Sequence, residues 1–234
     1  MKNITTVFNK SMKMSDLIDA DYRLLLLLQR LNIPFGFGDK SVKTICAENN
    51  FDADCFIFLA NFQSNKSIVN PYQEFEKLPT EPFLIYLKSS HIYFLDNRLP
   101  NIRRKLLLLL DENKSEISDI VLNFFDSYTE EVHDHMKYED ETVFPYIRSL
   151  INKEEQGNYN IDIFKERHND IDEKVNDLKR ILMKYLSGIK DQHLATNILI
   201  ELYITQEELE SHTFIEDELV IPHIRRMEKE VNKK

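Results

Sequence analysis

Two fourteen-residue stretches of this chain align without a gap, 77 residues apart. His135–Arg148 reads HMKYEDETVFPYIR and His212–Arg225 reads HTFIEDELVIPHIR, with eight identical positions. The same spacing of 77 separates His91 from His168, and in each half the single His precedes the His-x-x-x-Glu element by 44 residues. A chain built this way carries one structural unit twice. Each unit is a helix with one His, followed by a helix whose His and Glu lie one turn apart.

The rest of the composition agrees with helices. Only four glycines occur, Gly36, Gly38, Gly157 and Gly188. A β-sandwich, a barrel or a nucleotide-binding α/β fold needs more turns and phosphate loops than four glycines supply. Forty acids against thirty bases give a net charge of −10, which argues against a nucleic-acid binder. No run of 18 apolar residues exists, so no membrane span is expected. The five-leucine runs Leu24–Leu28 and Leu106–Leu110 are too short. Met1–Lys13 lacks the apolar core and cleavage site of a signal peptide, so the expected location is the cytoplasm. Cys46 and Cys55 are then expected as free, buried, inert thiols.

Along the chain, residues 1–65 read as a small helical domain. It is expected to contain helices over Ser15–Arg30, Ser41–Glu48 and Asp52–Asn61, the last capped by Asp52. Asn32-Ile33-Pro34-Phe35-Gly36-Phe37-Gly38-Asp39 breaks the pattern between the first two. Residues 66–81, with Pro71 and Pro79, read as a linker. Residues 82–234 read as four long helices, Pro82–Leu110, Ser115–Ile151, Ile161–Ser187 and Asp191–Glu230. The expected fold is all-α, an antiparallel four-helix bundle behind a small N-terminal domain.

Helical spacing places the repeated residues among apolar ones. Phe164, His168, Ile171, Val175 and Leu178 share a face, as do Val121, Phe125, Tyr128, Val132, His135 and Glu139. Leu202, Thr205, Leu209, His212 and Glu216 repeat the arrangement, and His91 lies with Leu84, Leu87 and Leu95. Four histidines and two carboxylates thus point inward. A buried ionised carboxylate with no counter-charge costs several kcal/mol. A shared cation removes that cost, with Glu139 and Glu216 able to bridge two ions. Mixed imidazole and carboxylate ligation suits iron or manganese better than zinc. The competing interpretation is a metal-free bundle in which the histidines and glutamates are ordinary hydrogen-bonded pairs.

These residues resemble the hemerythrin-like HHE cation-binding domain: His91, His168, and two His-x-x-x-Glu elements with a Pro ten residues after each His. Asp16–Phe62, with its Leu31–Asp39 loop, looks like the small N-terminal domain of the iron–sulfur cluster repair di-iron (RIC) family. The resemblance implies a non-haem centre of two iron ions bridged by an oxo or hydroxo group. It implies ligand roles for His91, His135, Glu139, His168, His212 and Glu216, with the glutamates bridging. The implied roles are handling of oxygen, nitric oxide or peroxide, and supply of iron for repair of iron–sulfur proteins. A metal-based redox or gas sensor acting through a protein partner is the alternative, and a homodimer is left open.

Two departures stand out. The family usually has a further His about 24 residues before the first His-x-x-x-Glu, where this chain has Asp111. Asp111 is either an oxygen ligand or a solvated helix end. The family's N-terminal unit also carries adjacent cysteines where Phe35-Gly36-Phe37 stands, so thiol chemistry at that loop is absent. Among the remaining residues, Glu141, Glu218, Asp140 and Asp217 read as solvated or ion-paired acids, and His133 reads as surface. His223 reads as supporting a ligand or filling the core. Pro145 and Pro222 are expected to kink their helices just past the site.

Overall fold

The computed structural model describes residues 7–64, 70–111, 116–154, 157–167, 172–185 and 189–231. Among these residues every regular element is helical, and the one extended pairing is an isolated bridge between Lys13 and Ser41. The all-α expectation holds. The chain divides into two compact units, Met1–Ser90 and His91–Lys234.

The first unit begins with α1 (Met14–Ala20) and α2 (Leu24–Arg30), where a single helix was expected. Asp21 breaks it. Its carboxylate accepts from the Arg23 backbone N–H at 3.1 Å and pairs with the Arg23 guanidinium at 2.7 Å. A side chain that satisfies nearby backbone in this way competes with helix continuation. The loop after α2 turns through positive φ at Asn32, Gly36 (92°) and Gly38 (53°), the last two being positions where a side chain would be strained. Ser41 caps α3 (Val42–Glu48), and Asp52 caps α4 (Ala53–Gln63) by accepting from Asp54 and Cys55 N–H at 2.8 and 2.9 Å. The Asp52 cap is as expected.

Within residues 66–81 lies the short helix α5 (Pro71–Phe75). Pro71 stands in its first turn, where a missing N–H costs nothing. Phe75 is buried, its ring 4.6 Å from Phe83 and 6.1 Å from Phe58. Helix α6 (Glu81–Tyr93) contains the boundary between the two units.

The second unit continues with α7 (Leu99–Asp111), α8 (Glu116–Tyr138) and α9 (Phe144–Ile151). It ends with α10 (Ile161–Arg167), α11 (Asp172–Tyr185), α12 (Gln192–Phe214) and α13 (Ile221–Val231). Helix α7 packs on α8 and α12, and α11 packs on the same two. Between them runs a core that includes Leu106, Val121, Phe125, Tyr128, Val132, Leu178 and Leu202, each almost completely buried. Each such side chain contributes about 1.5–3 kcal/mol by leaving water. That is enough to hold the four helices together and so to fix which residues meet at one end. Among the described residues no helix is long and apolar enough to cross a membrane.

Candidate metal centre

Three short π-helical segments interrupt the long helices: Phe94–Arg98, Glu139–Val143 and Ile215–Val220. Each is followed, two residues on, by a proline: Pro100, Pro145 and Pro222. A proline has no N–H to give, and its ring crowds the carbonyl four residues back. Those carbonyls belong to Asp96, Glu141 and Glu218, inside the π segments. The helix relieves the crowding by widening one turn. Leu99 N–H reaches back five residues to Phe94 O, Phe144 N–H to Glu139 O, and Ile221 N–H to Glu216 O. Pro145 and Pro222 therefore also act upstream, on the turn that begins at Glu139 and beside Glu216. Such π turns recur at functional sites.

Four groups meet at one point, Glu139 and Glu216 from π segments and His91 and His212 from α6 and α12. His91 Nε2 lies 3.0 Å from Glu139 Oε2 and 3.1 Å from His212 Nε2. His212 Nε2 lies 3.0 Å from Glu216 Oε1, across one helical turn. One ligand atom from each of His91, Glu139, His212 and Glu216 falls within 4.8 Å of the other three. Glu139 also meets His135 through its other oxygen, at 2.8 Å. All four core groups are buried, with Glu139 and His91 at 0% exposure. His91 stacks on Phe144 with ring centroids 5.4 Å apart, and Phe94 meets His212 edge-on at 6.3 Å.

The electrostatics of this cluster are demanding. Burial pulls the proton affinity of His91 down, but Asp140 and Glu139 outweigh it and raise its pKa to about 9. Burial and the facing Glu216 push Glu139 up, while contacts from His135 and His91 outweigh both and hold its carboxyl below the usual range. Glu139 thus stays an anion beside a second buried acid. With Nδ1 of His91 turned to Asp140, Nε2 faces a carboxylate oxygen 3.0 Å away. Two such electron-rich atoms stay this close only with a proton or a cation between them. Two imidazole nitrogens and two carboxylates in one dry pocket are a donor set for a transition-metal cation, and these residues fit one.

Of the residues singled out in the sequence, His91, Glu139, His212 and Glu216 come together, and His135 joins through Glu139. His168 lies outside the described residues. Asp111 does not join: it is exposed at the last position of α7. Twenty residues separate it from His91 on the same run of helix, roughly 30 Å at 1.5 Å per residue. Asp111 stands where the resembled family has a further His, and of the two readings open for it, oxygen ligand or solvated helix end, its exposure agrees with the second. Glu141, Glu218 and His133 are exposed, as expected.

One residue of the site went unrecognised. Asp140, read as a solvated or ion-paired acid, accepts from His91 Nδ1 at 3.1 Å. The signal was present as the identical Glu-Asp pair in both repeats. A regular helix, however, would turn Asp140 away from the partner of Glu139. Arg225, Tyr146 and Glu228 make polar contacts that tie α9, α10 and α13 together. Arg225 pairs with Asp162 at 2.8 Å, and Glu228 accepts from Tyr146 Oη and from Ile161 N–H.

A helical chain with a buried cluster of imidazoles and carboxylates able to take a cation defines a metal-binding protein. The Hemerythrin HHE cation binding domain model matches residues 97–224, more than half the chain, and the chain belongs to that family. The match takes in His135, Glu139, His212 and Glu216, while His91 stands six residues before it. No curated protein matches the chain.

Proposed function

We propose that this protein is a non-haem di-iron protein whose centre sits in an antiparallel four-helix bundle. The observation that carries this reading is the convergence of His91, Glu139, His212 and Glu216 within 4.8 Å. The two oxygens of Glu139, turned to different imidazoles, support a bridging role. His91, His212, Glu139 and Glu216 would hold the metal together with His135, and the repeat in the sequence makes His168, outside the described residues, the remaining candidate ligand. Iron suits the set best, manganese and zinc less well. Asp111 is not in the ligand set, for the reason of height given above.

A bound iron pair would supply a Lewis acid and reversible one-electron chemistry toward oxygen, nitric oxide or peroxide. The chain's own residues orient and enclose it. Phe94 and Phe144 cover the rings of His212 and His91 and exclude water from them. His135, 13% exposed against 0% for Glu139, marks the more open side. The resemblance to the cluster-repair family extends this reading to iron supply for iron–sulfur proteins under oxidative or nitrosative stress.

Protein purified without oxygen should contain iron and show an iron-pair optical or Mössbauer signature. The double variant His135→Ala, His212→Ala should lose both. Wild-type protein that takes up no iron would refute the proposal.

A sensor acting through a partner is the second reading. Both cysteines of the first unit are buried, and Phe35, in the loop where the resembled family carries cysteines, is 72% exposed. That loop is built for contact rather than thiol transfer. Phe35→Ala should then abolish a metal-dependent partner interaction and leave iron content intact; an unchanged interaction excludes the reading.

A further inference from the structure

We propose that Asp140 is a positioning residue of the centre, fixing which nitrogen of His91 faces the cation and how strongly it donates. The inference rests on the metal-centre reading above and deepens it. Asp140 Oδ1 lies 3.1 Å from His91 Nδ1, while Nε2 of the same ring lies 3.0 Å from Glu139 Oε2. Two consecutive residues thus hold opposite edges of one imidazole. A neutral imidazole has a single N–H. With that N–H committed to Asp140, Nε2 is left with its lone pair toward the cluster. An imidazole whose far N–H donates to a carboxylate is also a stronger metal donor.

The backbone explains how neighbouring residues reach one ring. Successive side chains diverge by about 100° in an α-helix. The π segment starting at Glu139 winds more slowly, so Glu139 and Asp140 both address His91. The other imidazole of the cluster has no such support: His212 Nδ1 is buried with no hydrogen-bond partner among the described residues. His91 and His212, 3.1 Å apart at Nε2, are therefore chemically unequal donors to the same place. The contact of Asp140 is with Nδ1 of His91, on the far side of the ring from Nε2, so it acts through His91.

The test uses the full-length protein, D140A and D140N. Two quantities are read: the affinity for ferrous iron, titrated without oxygen, and the reduction potential of the iron-loaded protein. D140A should bind ferrous iron about 10–100-fold more weakly. Its potential should move upward, because a weaker imidazole donor favours the ferrous state. D140N keeps an acceptor oxygen without the charge and should fall between wild type and D140A; it carries the test if D140A does not fold. Variants with wild-type affinity and potential would overturn the inference while leaving the metal-centre reading standing. A loss of affinity in both variants with no change of potential would also overturn it, since loss of packing alone gives that result. Wild-type protein that binds no iron would overturn the metal-centre reading itself.

Discussion

Raising the pH from about 6.5 to 9 should destabilise the metal-free protein more than the metal-loaded protein. The group responsible is His91. Burial disfavours its protonation, yet Asp140 and Glu139 outweigh burial and lift its pKa from 6.5 to about 9. Because the folded value exceeds the unfolded one, the folded state holds the proton more tightly. The resulting stabilisation is fully present below the unfolded pKa and is lost as pH climbs through the folded one. A shift of about 2.5 units at 1.36 kcal/mol each amounts to roughly 3 kcal/mol. On the proposed reading a bound cation would take the place of that proton, and His91 would no longer titrate. The cysteines also weaken the fold at high pH, since their unfolded thiols ionise near about 8.5. Both lie in the first unit and contribute equally with or without metal, so they cancel in the difference. Denaturant unfolding at steps across this window, with and without chelator, reads that difference. Equal pH slopes in the two samples would show that proton and metal do not compete for the cluster, and the reasoning would fail.

Two further outcomes follow from the placement of individual residues. Burial, with Asp52 beside it, pushes the Cys46 thiol up to about 12, and the same causes raise Cys55 further. At pH 8 both should react with an aromatic disulfide reagent on the order of 1,000-fold more slowly in the native protein than in denaturant, because the thiolate is the reactive form; rapid native labelling would contradict the burial. Asp111→Ala should leave iron content unchanged and raise stability by about 0.3 kcal/mol or not at all, since an acid at a helix C-terminus opposes the dipole. A halved iron content would place Asp111 in the centre after all.

The reach of the sequence differs from residue to residue. Spacing of four along a helix is rigid, so His135 with Glu139 and His212 with Glu216 could be paired from the chain alone. The inward face of each was equally legible from the apolar residues that share it. Asp21 shows the opposite case. Its carboxylate closes on Arg23 and splits a leucine-rich helix, a local bond that periodicity does not register. The prolines are visible in the sequence, but the π turns before them are not. Pro100, Pro145 and Pro222 each stand two residues past a π segment, a pattern that appears only when the backbone hydrogen bonds are traced.

The sequence by itself determined that this chain is helical, that its second part carries a repeated motif, and that His91, Glu139, His212 and Glu216 face inward. Those properties follow from local periodicity, which each helix carries without its neighbours. Tertiary structure alone decided that His91 meets Glu139 and His212 and that Asp140 faces His91. Heights along packed helices and the slow winding of a π turn depend on how separate segments dock, and no spacing within one segment encodes that.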